Sequence, residues 1–262
     1  MATNRIRGAL TALLLLTAIS GCRKPAEPTP PPPEDKQQYT FRWIPNPSLD
    51  LMTPEGTFVR AITESSSSVY MSDKKGRTAL TDKGYPGIER AENHVWGTML
   101  DIGGDPAISP YVGTDYYEVV DFRRDGDRYV ATVCNYSSLT AHRGRAGTRI
   151  GPTLTEREGT YISRGSLPGG VTQAYIFGPD PSLTPAQQRA PLAQQRGPAR
   201  RPTDNVFGTW LLFEQPRVSD EQVRVCNKLA PGTPTDWPDP YMRTEPPPTL
   251  PPDPGWPDGS SA

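Results

Sequence analysis

Proline placement limits this chain more than any other feature. Of its 262 residues 32 are proline, with six in the nine residues Pro25 to Pro33 and eleven in residues 231–262. Proline fixes φ and has no amide donor, so it neither continues a helix nor sits inside a central strand. Only 34% of the residues are hydrophobic, too few to give the whole length an ordinary core. We therefore expect a folded domain over residues 40–229. Residues 22–39 read as a semi-rigid polyproline stalk, and residues 230–262 as a proline-rich tail lacking the apolar surface to offset its ordering entropy. Trp237, Tyr241 and Trp256 are the residues by which parts of that tail could be pinned to the domain. A third irregular stretch, 178–204, carries Gln187-Gln188 and Gln194-Gln195 and reads as a long surface loop between strands. Its Arg189, Arg196, Arg200 and Arg201 either keep that loop soluble or dock anionic groups.

The amino end reads in three parts: Arg5 and Arg7, an apolar run from Ala9 to Ile19, then Ile19-Ser20-Gly21-Cys22. The run is shorter than the roughly 20 apolar residues of a membrane-spanning helix, and suits the core of a signal peptide. These first 22 residues resemble the bacterial lipobox. The resemblance implies a signal peptide over 1–21, cleavage after Gly21 and fatty acylation (palmitate among the chains) of Cys22. The domain would then be lipid-anchored at the extracytoplasmic face of the cell membrane. The alternative is an ordinary secretory leader with a chance cysteine.

Within the domain, Thr53-Pro54-Glu55 is a helix start, with an N-cap, proline at the first position and then an acid. Phe58, Val59, Ala61, Ile62 and Val69 follow at roughly helical spacing, and a shorter helix is expected from Pro86 to about His94. Asp115 to Arg124 and Asp127 to Tyr136 read as a hairpin about Asp125-Gly126. That turn sets Phe122 opposite Tyr129, Val120 opposite Ala131 and Glu118 opposite Val133. Further strands are expected at Val171 to Phe177, Val206 to Gln215 and Val223 to Cys226. Helices first and strands after make an α+β fold, with N-terminal helices packed on a curved antiparallel sheet and disordered proline-rich segments on both flanks. This order over residues 53–226, with Trp210 and Phe213 on a late strand, resembles the cone-shaped domains typified by nuclear transport factor 2. It is also similar to the layout of secreted actinobacterial lipoproteins.

With Cys22 given to lipid, Cys134 and Cys226 remain, and an exported chain favours a disulfide between them over two buried thiols. Catalytic signatures are scarce. Neither a nucleophile elbow, a zinc-binding helix, a phosphate loop nor a dinucleotide fingerprint occurs, so we expect no metal or cofactor. A net charge of −1 gives no reason to hold nucleic acid. His94 reads as a helix-end residue facing water, and His142, in Ala141-His142-Arg143-Gly144-Arg145, as a solvated loop residue. If the Phe122/Tyr129 face is buried, Glu118 would have a raised pKa suited to acid–base work. The reading we prefer lets the strand end emerge, so that Glu118 meets water or an arginine. Trp96, Tyr116 and Trp210 either line a pocket with Glu118 or are plain core aromatics. The leading reading is a non-enzymatic envelope lipoprotein binding a partner protein or an apolar small ligand. The alternatives are a pocket enzyme using Glu118 with His94 assisting, and a structural spacer.

Overall fold

The protein is described by a computed structural model over residues 38–97, 111–150 and 154–258; the leader, Cys22 and the stalk through residue 37 lie outside the described residues. The fold is α+β, a mixture of helix and largely antiparallel sheet.

A long hairpin organises the sheet. β2 (Tyr111–Asp125) and β3 (Arg128–Tyr136) pair across Gly126-Asp127, where Gly126 takes φ +62°. A two-residue turn with glycine first accounts for its falling one residue later than expected. A bulge follows at Val120, between the pairs Val119/Val133 and Asp121/Thr132. An unpartnered residue turns everything before it to the other face. The shifted turn replaces the expected pairings by Phe122/Ala131 and Arg124/Tyr129, and beyond the bulge Glu118 pairs with Cys134. Phe122 and Tyr129 still stack diagonally, ring centres 5.9 Å apart, but Glu118 has left their face.

β1 (Gln38–Trp43) runs parallel to β2 along residues 112–117, an exception to the antiparallel rule. On the opposite edge of β2, β3 gives way to β4 (Thr140–Arg143): Tyr116 pairs with Tyr136 and Gly113 with Thr140. Beyond that break the sheet forks. β8 (Thr172–Pro179) and β9 (Trp210–Glu214) continue from β3, while β7 (Tyr161–Ser163) and β10 (Tyr241–Arg243) continue from β4. β5 (Arg149–Ile150) and β6 (Leu154–Thr155) form a separate small pair. Gly113 (φ +107°) is needed at the fork, because a Cβ there would lie 2.2 Å from the Leu139 carbonyl and 2.7 Å from the Pro247 ring.

α1 (Pro54–Tyr70) begins as expected, with Thr53 accepting from the Gly56 amide at 3.1 Å. Its first half packs on the β3/β8/β9 branch: Phe58 stacks on Phe177 at 4.7 Å, and Trp210 lies 5.1 Å from Tyr129. α2 (Gly76–Lys83) was not legible, and the helix expected over 86–94 is reduced to α3 (Ile88–Ala91). Left-handed Asn93 and His94 follow it. The strand expected at Val223 to Cys226 is instead α4 (Asp220–Val225). Ser219 and Gln222 form a reciprocal capping box, Asp220 and Glu221 fill the first turn, and Val223 and Val225 face solvent, so local capping outweighs the β preference of valine.

The carboxy segment is also corrected. Residues 231–258 are held on the domain rather than free of it. Asp253 adds to the outer edge of β1, receiving the Trp43 amide at 2.7 Å and giving its own to Phe41 at 3.3 Å. Pro251, Pro252 and Pro254 flank the one amide that is used, which is how proline is tolerated at a sheet edge. Trp256 is fully buried, its Nε1 2.7 Å from Glu64 and its ring under the Arg60 guanidinium at 4.2 Å. Trp237 stacks near Tyr241 at 4.6 Å. Arg60 also donates to the Gln195 carbonyl at 2.6 Å and the Pro254 carbonyl at 2.7 Å, so one helix side chain ties down both irregular segments.

Candidate functional site

The forked sheet leaves a hollow. Where α1 faces the β3 branch the space is filled, but above β4 and β7 it is a cavity of about 1010 Å³. Alternation along β2 brings Tyr111, Asp115 and Tyr117 to its floor, and Thr140, His142 and Ile162 continue it. Ser66 to Met71 of α1, together with Trp96, form other parts of its lining. Tyr70 and Val171 line it while each remains 59% exposed, which places a mouth between the end of α1 and the start of β8.

The floor is polar at one point. Asp115 is buried and accepts from Asn135 Nδ2 at 2.7 Å and from the Tyr117 hydroxyl at 3.0 Å. Because Tyr117 donates there, Ser67 donates to Tyr117 across 2.6 Å. Burial pushes the Asp115 carboxyl up to about 6, against the pull of its hydrogen bonds. Burial likewise pushes Tyr111 up to about 12. On the wall, His142 Nε2 lies 3.1 Å from Glu156 Oε1, and the Arg145 amide donates to Oε2 at 2.7 Å. In the lining, the buried Trp96 Nε1 has no hydrogen-bond partner among the described residues.

Of the four residues expected to share a pocket, only Trp96 lines this one. Trp210 belongs to the filled branch. Tyr116 and Glu118 are turned to the far face by the Val120 bulge, where Tyr116 joins a second cluster with Cys134, Tyr136 and Cys226. Glu118 meets Tyr136 at 2.7 Å, Asn46 at 2.8 Å and Lys228 at 3.2 Å. Burial pushes its carboxyl up, but those three donors outweigh it and hold the group below the usual carboxylate range. A raised pKa for Glu118 is thereby overturned, and lysine takes the part expected of arginine. His94 faces solvent with Nδ1 2.8 Å from Arg77, sharing no partner with Glu118, so that pair makes no acid–base couple. His142 is corrected in the other direction: it is half-buried on a strand, in the cavity wall. Asp115 and Glu156 were missed, and the alternation Tyr111, Gly113, Asp115, Tyr117 was the signal that carried the former. Behind the sheet, Cys134 and Cys226 stand at disulfide distance, their Cα atoms 5.2 Å apart.

Compared with known proteins, the chain matches no family model, no curated protein and no solved structure.

Proposed function

We propose that this chain is an exported lipoprotein, fastened to a membrane through lipid on Cys22, whose domain carries an apolar small ligand between α1 and the β4/β7 branch. In this reading the helix laid across a forked, curved sheet is a cone of the nuclear-transport-factor type with its interior left open. The observation that carries it is the cavity of about 1010 Å³, at the top of the roughly 300–1,000 Å³ typical of small-ligand sites. Unfilled apolar volume lowers stability, so a domain serving only as a spacer has no use for one. The charged start, short apolar run and small residues before Cys22 support the anchor.

The test is a titration of the purified chain with the neutral apolar dye N-phenyl-1-naphthylamine. Saturable binding is expected, and loss of it in Val69→Trp, which fills the cavity from α1. An unchanged unfolding midpoint in that variant separates filling from misfolding. Absence of saturable binding by the wild-type chain contradicts the ligand reading. Intact mass of envelope-derived protein tests the anchor: a chain beginning at Met1 with no acyl mass contradicts it.

A further inference from the structure

The polar groups around the cavity are not balanced, and the imbalance has a direction. Its buried acceptors are already engaged: each oxygen of Asp115 accepts a hydrogen bond, and each oxygen of Glu156 is within bonding distance of a partner. Several of its donors are not. The Trp96 indole N–H is buried without an acceptor among the described residues. Arg145 and Arg149 line the cavity at an exposed edge, and no carboxylate of the described residues lies within 4 Å of either guanidinium. Asp239, a further acid in the lining, belongs to the other end of β7: it precedes Tyr241, which pairs with Ser163, whereas Arg145 follows Arg143, which pairs with Tyr161. Glu156 is the acid beside Arg145, its oxygens facing His142 and the Arg145 amide, so the two guanidiniums leave this edge with a net positive charge; it adjoins an apolar interior bounded by Tyr111, Ile162 and Val69.

We infer that the ligand is an acidic amphiphile, its hydrocarbon body in the cavity and its carboxylate or phosphate head at Arg145 and Arg149. This rests on the proposed ligand-binding reading and narrows it. An anionic head supplies the acceptors that the edge lacks, and guanidinium is the side chain best shaped to take a carboxylate or phosphate through paired hydrogen bonds. A neutral hydrocarbon would leave the two cations no better satisfied than in the empty site.

The experiment compares cis-parinaric acid with its methyl ester on the full chain at a pH where the free acid is ionised, with the double variant R145Q/R149Q alongside. Both arginines are solvent-exposed, so the fold survives their replacement. The acid is expected to bind at least about tenfold more tightly than the ester, as one charge-assisted contact allows. The double variant should bring the two affinities together by weakening the acid alone. Dodecyl phosphate should displace the probe and inorganic phosphate at the same concentration should not. Equal affinities for acid and ester in the wild-type chain overturn this inference while leaving an apolar ligand in place. Displacement by inorganic phosphate alone also overturns it, making the edge a plain anion site. If neither acid nor ester binds, the ligand-binding reading falls as well.

Discussion

Glu64 is buried on α1, with hydrogen bonds from Trp43 at 2.7 Å, Tyr85 at 2.7 Å and Trp256 at 2.7 Å. Burial raises its pKa against the pull of Arg60, whose own pKa burial lowers. Removing one member of such a pair strands the other, so Glu64→Ala should cost about 3–5 kcal/mol in urea unfolding. A loss below about 1 kcal/mol would mean that the network does not hold the domain together. Asp115 makes a different prediction. The folded state keeps its proton to about pH 6, whereas an ordinary aspartate near 3.8 has released it. Stability from this site is thus full below about pH 4 and falls as pH rises to about 6. Asp115→Asn should flatten that part of the pH profile and be relatively stabilising at pH 7.5, by about 2–3 kcal/mol at most. Unfolding midpoints at pH 4 and 7.5 that shift equally in both proteins would contradict it.

At the scale of elements, local chemistry was legible and long-range pairing was not. The start of α1 and the existence of the hairpin follow from Thr53-Pro54-Glu55 and from the alternation about Gly126. The site was lost to a single residue: Val120 bulges, and the pocket residues expected on one face, Tyr116 and Glu118, turn to the other. Nothing in the local sequence marks that bulge, since valine fits a regular strand equally well. Short strands such as β4 and β7, three or four residues long, take their partners from the fork and carry no pattern of their own. The α4 helix has a local signal, Ser219 and Gln222 three apart in a capping box, which competes with the β preference of Val223 and Val225. α4 also delivers Cys226 to Cys134 across a separation of 92 residues. Loop closure of that length gives up to about 4–5 kcal/mol, so Cys226→Ser should lower stability by a few kcal/mol, and the wild-type chain should expose no alkylatable thiol before reduction. A freely alkylated Cys134 in the exported protein would contradict the link.

For the whole molecule, a low hydrophobic fraction and a well-packed interior are reconciled by how the proline-rich segments are used. They supply carbonyls to Arg60, an edge to β1 and one large aromatic to the core, work that needs few apolar residues. Trp256→Ala should therefore cost about 3–5 kcal/mol, although only six residues of the 262-residue sequence follow it; thermal unfolding unchanged by it would restore the picture of a free tail. The same frugality accompanies the hollow: among the described residues no helix packs into the β4/β7 branch as the first half of α1 packs onto the β3/β8 branch.

Native mass spectrometry of the chain extracted from its own membranes, beside the Val69→Trp variant, tests the central claim most directly. The account predicts a chain starting at an acylated Cys22 that carries a further, non-covalent lipophilic mass, with that second mass missing from the variant. A wild-type chain with no bound mass, or one retained equally by both proteins, would contradict a ligand-filled cavity.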